Sequence, residues 1–208
     1  VERYLARLAS SFDRKPVDAR VVFRADRPVL TKDAPGRRLK VVIAARLITR
    51  ALKTHSREPI ALPVEQLAPA LAAGSFAHLI VIRRESKRLS RYDGARLART
   101  FQNATGMAAF PTPLGRFEVV VKQRNPWWYP PPGASWTRGL EPVPPGPANP
   151  LGTRWMGLSA PGIGIHGTPD AASVGTAASH GCIRMFIPQS EWLYDHIGTG
   201  TPVYIVAA

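Results

Sequence analysis

The only cysteine of the 208-residue chain, Cys182, lies in the segment GIGIHGTPDAASVGTAASHGCIRMF (162–186) together with two of its five histidines. A thiol attacks as its thiolate, and little of a free cysteine is ionised at pH 7 because its ordinary pKa is about 8.5. A neighbouring histidine is a common activator of such a nucleophile. His166 and His180 both lie in this segment, so its residue types predict nucleophilic chemistry at sulfur.

The elements around this segment must bring an imidazole and the thiol together. GIGIHG has the pattern of a strand, and a strand–loop–strand return would place His166 beside Cys182. Gly181 has no side chain, so a substrate backbone could approach there and the Cys182 N–H could face a developing oxyanion.

Two other interpretations of the segment remain open on spacing alone. Cys182 could be a small buried hydrophobe, with both histidines satisfied in the core. His166, His180 and Cys182 could instead hold a metal ion, but structural zinc takes four ligands. No Cys-x-x-Cys or His-x-x-x-His pair completes such a set, so we expect neither a metal nor another cofactor.

Composition restricts the class of protein. Hydrophobic residues make up 45% of the chain, a proportion typical of globular rather than disordered proteins. No apolar run approaches the roughly 18–20 residues of a transmembrane helix, so we expect no membrane span. The single cysteine excludes an internal disulfide. The chain begins at Val1 without the pattern of a signal peptide, and we expect any signal or membrane anchor to lie upstream.

The net charge of +14 is spread over both halves of the chain, which has a pI near 11.0. Such a field attracts a polyanion, whether nucleic acid, anionic lipid or an acidic cell-wall polymer. The sequence has neither a helix-turn-helix pattern nor an aromatic stacking platform. Nucleic acid is therefore not predicted as a partner.

Residues 1–75 are predicted to form a small α+β unit. VERYLARLASSF and RLKVVIAARLITRALK both have the apolar spacing of an amphipathic helix. Between them, VDARVVFRA (17–25) alternates as a strand with which RPVLTKD (27–33) could pair, and EPIALPV (58–64) has the pattern of a further strand.

Residues 76–208 are predicted to be mostly β. HLIVIRR is an apolar strand, and Asp93-Gly94 suits the tight turn of a hairpin. RFEVVVKQ, TRWMGLS, GIGIHG and PVYIV have the pattern of strands, and PQSEWLYDHIG that of a short helix closed by Gly198. The fold class predicted for the whole chain is α+β.

Residues 125–150, NPWWYPPPGASWTRGLEPVPPGPANP, are rich in proline and aromatic residues. Proline at this density continues neither a helix nor a strand ladder. Because long structureless loops are uncommon in compact domains, we expect an ordered loop laid over a cleft. Such a loop would act as a lid over the cleft, and part of this lid would be formed by Trp127, Trp128 and Tyr129.

The segment HGTPDAASVGTAASHGCIRM resembles the signature of the L,D-transpeptidase catalytic domain, the YkuD-like family, in which a His and a loop precede Ser/Thr-His-Gly-Cys. The resemblance continues through TGMAAFPTPLGRFEV, NPLGTRWMGLS and GTPVYIV, in that order. It implies a mostly β, sandwich-like catalytic domain over residues 76–208, with a short helix after the motif.

The resemblance implies an enzyme that cross-links peptidoglycan stem peptides. Cys182 would attack the carbonyl of the third stem residue and release the terminal D-alanine, and the side-chain amine of another stem would resolve the thioester. His166 would take the thiol proton, oriented by the main-chain oxygen of Gly167. The N–H groups of Gly181 and Cys182 would form the oxyanion hole, and His180 would help to shape it.

Two further motif residues are candidate substrate contacts under this resemblance. Arg184 matches the Cys-Ile-Arg-Met branch of the family and would clamp a stem carboxylate or form a structural salt bridge, with both interpretations open. Ser179 would hydrogen-bond within the motif.

Residues 16–75 resemble, on PVDARVVF, PGRRLKVV and EPIALPVEQLAPAL, part of the peptidoglycan-binding domain that often precedes this catalytic domain in exported bacterial proteins, and residues 1–75 are assigned to such a partial domain. They would bind the wall or act as a spacer. The implied partners are donor and acceptor stem peptides, with anionic cell-wall polymers, in the cell wall or a periplasm-like space. An L,D-carboxypeptidase that passes the acyl group to water, and a silent peptidoglycan-binding module, remain alternatives.

Overall fold

The computed structural model describes residues 1–24 and 27–208, which divide into two units, Val1–Ser75 and Phe76–Ala208. Helices and strands occur in both units, so the α+β class predicted from the sequence is confirmed. All the residues that the sequence singles out for chemistry lie in the second unit.

The first unit combines two helices with two antiparallel strand pairs. Its elements are α1 (Glu2–Phe12), β1 (Val21–Arg24), β2 (Arg27–Leu30), β3 (Gly36–Leu39), α2 (Val41–Lys53) and β4 (Val64–Leu67). β1 pairs with β2, and β3 pairs with β4. Leu5, Leu39 and Ala44 are buried together, so the apolar faces of the two helices and β3 make one small core.

The strand predictions for this unit are partly correct. The pairing of the segment 27–33 with the preceding strand is confirmed. That strand is shorter than the predicted 17–25, because β1 spans only Val21–Arg24, and Ala25 lies outside the described residues. The strand predicted over 58–64 is wrong, since β4 begins only at Val64. Pro59 and Pro63 lack the N–H that a ladder requires, which accounts for the shift.

The second unit is dominated by one large sheet. Its elements are β5 (His78–Arg83), β6 (Arg88–Asp93), β7 (Arg96–Gln102), β8 (Thr105–Gly106), β9 (Gly115–Arg124), β10 (Arg154–Leu158), β11 (Gly164–Thr168), β12 (Ala177–Ser179), β13 (Ile183–Phe186), α3 (Ile187–Asp195) and β14 (Pro202–Val206). The strand order is β13-β11-β10-β9-β14-β5-β6-β7, and β8 pairs with β12 in a separate ladder. A hairpin between β6 and β7 is confirmed, but Asp93 pairs with Arg96, so the two turn residues are Gly94 and Ala95 rather than the predicted Asp93 and Gly94.

The two ends of the large sheet meet. Directly after β7, Ala104 exchanges both backbone hydrogen bonds with Arg184 of β13, at 2.8 and 3.1 Å. Buried apolar residues from both ends of the sheet share one core: Ile80, Ile82, Leu89, Phe101, Met156, Ile165, Ile183 and Met185. The sheet is therefore curled around a common core, and its two halves face each other as in the sandwich-like arrangement expected.

Helix α3 is fixed to the sheet at both its side and its end. Leu193 is fully buried in the common core. Lys122 Nζ, from β9, donates hydrogen bonds to the carbonyls of Tyr194 and Ile197, both at 2.6 Å, where carbonyls at a helix end lack partners within the helix. The helix ends at Asp195, so the prediction that Gly198 closes it is wrong.

No helix in the described ranges is long and apolar enough to cross a membrane.

Candidate active site

Two parallel strands position the thiol and one histidine. β11 pairs with β13 in the register Ile165↔Ile183 and His166↔Arg184. Because Ile165 and Ile183 are fully buried in the core, His166 and Arg184 lie on the opposite face of the sheet. Cys182 comes directly before β13 on the side of Arg184, which makes it a diagonal neighbour of His166. Because successive side chains of a strand point to opposite faces, Cys182 and Arg184 share one face, the face on which His166 also lies.

His166 is buried, with 4% of its surface exposed. Its Nδ1 lies 2.6 Å from the Gly167 carbonyl oxygen. Since a carbonyl can only accept, Nδ1 carries the proton and Nε2 is the acceptor nitrogen. Burial lowers the pKa of His166 to about 4, the Arg184 charge adds to this, and the Gly167 hydrogen bond opposes it. The ring is therefore neutral at pH 7.

The Cys182 sulfur is held by the turn between β10 and β11. Its thiol donates a hydrogen bond to the Gly162 carbonyl, with an S···O distance of 3.4 Å. Burial raises the pKa of the thiol, while backbone hydrogen bonding from Gly164 and the Arg184 charge oppose that rise. With the pKa of His166 lowered as well, both groups favour their neutral forms, a thiol and an imidazole rather than an ion pair.

Glycines on the two faces of β11 make room for close packing, Gly164 on the face of His166 and Gly167 on the face that packs against α3. Trp155 of β10 lies opposite His166, with ring centroids 5.8 Å apart. A Cβ on Gly164 would overlap the Trp155 ring, and a Cβ on Gly167 would lie 2.8 Å from Ser190 Oγ of α3. Helix α3 therefore packs directly on the residue whose carbonyl contacts His166.

The backbone at Gly181 is held within the motif itself. Gly181 has φ +111°, and its N–H donates to Ser179 Oγ at 3.1 Å. The Ser179 hydroxyl donates in turn to the Cys182 carbonyl at 2.6 Å, the kind of contact that the sequence suggested for this serine. The role expected for Gly181 as an oxyanion donor requires correction, because its N–H is already committed to Ser179.

Thr112 belongs to the same arrangement and was not apparent from the sequence. It is fully buried, donates a hydrogen bond to the Gly181 carbonyl at 2.8 Å and accepts one from the Gly106 N–H at 2.8 Å. Thr112 and Gly181 are 69 residues apart along the chain. A lone threonine in the turn PTPLG carries no pattern that could have revealed this contact.

Aromatic rings cover His180. Trp136 stacks on the imidazole with centroids 3.9 Å apart and planes 11° apart, and Phe110 approaches at 4.9 Å in a tilted arrangement. Burial lowers the pKa of His180, and the Arg184 charge lowers it further. The proline-rich segment thus contacts the motif through Trp136.

The aromatic residues predicted for the lid lie elsewhere in that segment. Trp127 and Tyr129 stack on each other at 6.2 Å and are 50% and 65% exposed. Trp128 bridges to Val143 within the segment. These ring and backbone contacts lie within the segment, whereas Trp136 stacks on His180 of the motif.

Arg184 lies near all three titratable groups of the site. Its charge lowers the pKa of His166, His180 and Cys182. Its side chain is 22% exposed, and Nη1 lies 3.9 Å from a carboxylate oxygen of Asp170, which is 60% exposed. An ion pair this long and this exposed is weak, so the guanidinium retains capacity for another anion.

The arrangement contains the parts of a cysteine acyl-transfer site. The thiol can act as a nucleophile, the neutral imidazole can accept its proton, and the Cys182 N–H makes no hydrogen bond with any residue of the described ranges. In the same part of the chain, no group of three or more His, Cys, Asp or Glu side chains is placed to hold a metal ion.

Comparison with known proteins agrees with the geometry. The family model of the L,D-transpeptidase catalytic domain matches residues 77–205, and the model described as "Putative peptidoglycan binding domain" matches residues 1–61. The "Putative L,D-transpeptidase YqjB" of Bacillus subtilis is 34% identical over 131 residues, 61% of this chain and 69% of that protein. The "Putative L,D-transpeptidase YkuD" of Bacillus licheniformis is 32% identical over 131 residues, 63% of this chain and 67% of that protein.

Solved structures share the fold. A cysteine-to-serine mutant of the Enterococcus faecium L,D-transpeptidase superposes with a TM-score of 0.55 at 18% identity, covering 99% of this chain and 80% of that one. An L,D-transpeptidase from Mycobacterium smegmatis gives 0.52 at 17% identity, covering 97% and 85%. At these identities the likeness concerns the fold alone.

Proposed function

Because the chain belongs to the L,D-transpeptidase catalytic-domain family, we propose that it cross-links peptidoglycan stem peptides through a thioester on Cys182. The observation that carries the proposal is the parallel pairing of β11 with β13, which sets His166 diagonally across from the single thiol. His166 and Cys182 lie on the sheet face opposite the buried isoleucines Ile165 and Ile183, outside the apolar core cluster.

Acylation starts from the neutral thiol of Cys182 and the neutral imidazole of His166. His166 Nε2 accepts the thiol proton as sulfur attacks the carbonyl of the third stem residue, so the thiolate forms only as it reacts. The same nitrogen then returns the proton to the departing amine of the terminal D-alanine. The Gly167 carbonyl keeps the ring in the tautomer that leaves Nε2 as the acceptor.

The Cys182 N–H is the backbone donor for the oxyanion. The neighbouring Gly181 N–H is bonded to Ser179, so it supports the loop instead of contacting substrate. His180, fixed between Trp136 and Phe110, shapes the wall beside this donor. Removing one preorganised oxyanion donor costs about a hundredfold or more in enzymes of this type of chemistry.

Arg184 provides the charge that would orient the donor stem. Its distant pairing with Asp170 leaves the guanidinium able to grip a carboxylate in a two-pronged contact. A stem peptide carries such groups, and the basic character of the whole chain favours an acidic substrate.

The first unit would keep the enzyme at its polymeric substrate. The peptidoglycan-binding family model matches residues 1–61. We propose that residues 1–75 act as the wall-binding or spacer unit and 76–208 as the catalytic unit, in the cell wall or a periplasm-like space. Anionic wall polymers would add to the attraction through the net charge of +14.

Mass spectrometry of the products tests the proposal. The protein is incubated with a muropeptide that carries a tetrapeptide stem. A cross-linked dimer with loss of one alanine is the expected result. Tripeptide without dimer would instead identify an L,D-carboxypeptidase with the same thiol, and an unchanged substrate with no adduct on the protein would favour a silent binding module.

We expect replacement of Trp136 by alanine to increase hydrolysis relative to cross-linking. The ring that stacks on His180 excludes water from this side of the thioester, and an aromatic pair contributes about 0.5–1.5 kcal/mol. The ratio of tripeptide to dimer, measured by mass spectrometry, should therefore rise. The matched variant Trp127→Ala removes an exposed ring that contacts Tyr129. An equal effect of both variants would restore the original lid prediction.

A further inference from the structure

Four backbone groups flank the nucleophile, and three of them are already bonded. The Gly181 N–H and the Cys182 carbonyl are both bonded to the Ser179 hydroxyl. The Gly181 carbonyl is bonded to the Thr112 hydroxyl. Within the residues that the structure describes, only the Cys182 N–H of these four has no hydrogen-bond partner. The loop therefore leaves the Cys182 N–H free to donate and holds the other three backbone groups in place.

Thr112 is well placed to hold this peptide because it is itself immobilised. Its side chain is fully buried, and its hydroxyl uses both a donor and an acceptor bond at 2.8 Å. Pro111 and Pro113 flank it and restrict the backbone on either side. The turn that delivers it is closed tightly on Gly106, where a Cβ would overlap the Phe110 carbonyl.

The Gly181 carbonyl and the Cys182 N–H belong to one planar peptide group and point in opposite directions. Fixing the carbonyl therefore fixes the direction of the N–H. Loss of the Thr112 hydroxyl would leave a buried carbonyl and the buried Gly106 N–H unpaired, and the peptide would rotate to find other partners. Such a rotation turns the N–H away from the oxyanion.

We propose that Thr112 is a positioning residue of this site, which aims the Cys182 N–H at the developing oxyanion by anchoring the Gly181 carbonyl. The inference rests on the proposed acyl transfer at Cys182 and adds the residue that orders its oxyanion donor. Thr112 contacts neither substrate nor sulfur. Its effect should therefore appear only in steps that place negative charge on a carbonyl oxygen.

Two reactions of the Cys182 thiol distinguish a loss of oxyanion stabilisation from a general loss of structure at the site. With a p-nitrophenyl ester, sulfur bonds to the acyl carbon through a tetrahedral oxyanion, p-nitrophenolate leaves, and His166 takes the thiol proton. With iodoacetamide, sulfur displaces iodide from a CH₂ group, the thiol proton is lost in the same way, and no oxyanion forms. Both rates are measured on the full chain, by nitrophenolate release and by intact mass.

For Thr112→Val we expect acylation by the ester to fall about a hundredfold while alkylation by iodoacetamide changes less than about threefold. Thr112→Ser keeps the hydroxyl and should restore acylation to within about tenfold of the unsubstituted chain. Thr112→Ala, which removes the hydroxyl without adding a methyl group, replaces the valine variant if that variant is unfolded at the assay temperature.

Thr201→Val is the matched control. Thr201 is also buried, and its hydroxyl also accepts a backbone N–H, that of Gly198, in the turn before β14. It should leave both rates unchanged. Equal losses of acylation and alkylation in Thr112→Val, or no loss in either, would overturn the assignment.

The ester keeps this test independent of the natural substrate. A chain that fails to cross-link muropeptides but shows the predicted separation of rates would contradict the proposed function and retain the role of Thr112. If the unsubstituted chain cross-links muropeptides but Thr112→Val is acylated by the ester at an unchanged rate, the proposed function is retained and the role of Thr112 is contradicted.

Discussion

Replacing Cys182 by alanine should reduce cross-linking of tetrapeptide stems to background while leaving the fold intact. The chain has no other thiol, so no second cysteine can form the thioester. The substitution removes the weak hydrogen bond from sulfur to the Gly162 carbonyl at 3.4 Å and the backbone hydrogen bond from Gly164, and we expect it to lower the free energy of unfolding by about 1–2 kcal/mol. Product analysis and thermal unfolding measure the two effects.

Cys182→Ser is a second variant that tests the need for a thiol with a smaller structural change. The hydroxyl fits the same place and can donate to Gly162, but its proton is far harder to remove than that of a thiol. We expect a folded protein without measurable dimer formation in both variants. Persistent cross-linking in Cys182→Ala would require another nucleophile. Unfolding of both variants would support the interpretation of Cys182 as a buried hydrophobe.

Replacing His166 by asparagine should lower the rate of Cys182 acylation by a factor of about 10² to 10⁴, the usual contribution of a general base. The asparagine amide can still donate to the Gly167 carbonyl, but it cannot accept a proton from the thiol. The loss should appear in single-turnover acylation by a p-nitrophenyl ester or a stem tetrapeptide.

His196→Asn is the matched control for that variant. His196 Nδ1 contacts the Trp192 carbonyl at 2.7 Å, the same kind of contact that His166 makes, in a part of the second unit that the mechanism does not use. It should acylate at an unchanged rate. A comparable loss in both variants would mean that His166 acts through the fold rather than as the base.

The pH dependence of acylation should reflect the lowered pKa of His166. With a pKa of about 4, the imidazole remains an acceptor well below pH 6.5, so the acid limb of the rate profile should lie near pH 4. A limb near the ordinary histidine value of about 6.5 would contradict the buried neutral imidazole.

The free energy of unfolding should also depend on pH through the lowered pKa of His166. Because the folded protein binds the His166 proton more weakly than the unfolded chain does, the stabilisation is complete above the unfolded pKa of about 6.5. It is lost as pH falls towards the folded pKa of about 4. His166→Asn should lack this component, which is visible as a smaller loss of unfolding free energy over the same pH range.

Local sequence patterns were sufficient where one strand or helix decides the outcome. The short apolar segments HLIVIRR and PVYIV predict strands that the structure contains, and Asp93-Gly94 predicts a hairpin that is present with its turn one residue further on, at Gly94-Ala95. The segment 58–64 failed because its apolar residues suggest a strand while Pro59 and Pro63 withhold the required N–H groups.

The site was predictable only as far as its residues are neighbours in sequence. Cys182, His180 and Ser179 stand in one motif, and the strand before the loop directs attention to His166. Thr112 could not be found in this way, because its contact with the motif depends on a turn closed 69 residues away. The contact of Trp136 with His180 could not be predicted for a similar reason, since only packing decides which tryptophan of the proline-rich segment meets the motif.

The bridge between Ala104 and Arg184 restricts how a peptide can approach the nucleophile. β13 is the last strand of the sheet, and an open edge there would let an extended peptide bind by adding a strand. The two hydrogen bonds with Ala104 occupy both backbone groups of Arg184 at this edge. A peptide bound beside Cys182 must therefore be recognised by side chains and loops. These contacts select its substituents and charge and do not depend on the direction of its main chain. This would suit the proposed stem-peptide substrate, whose L and D residues make pairing along a β ladder a poor guide.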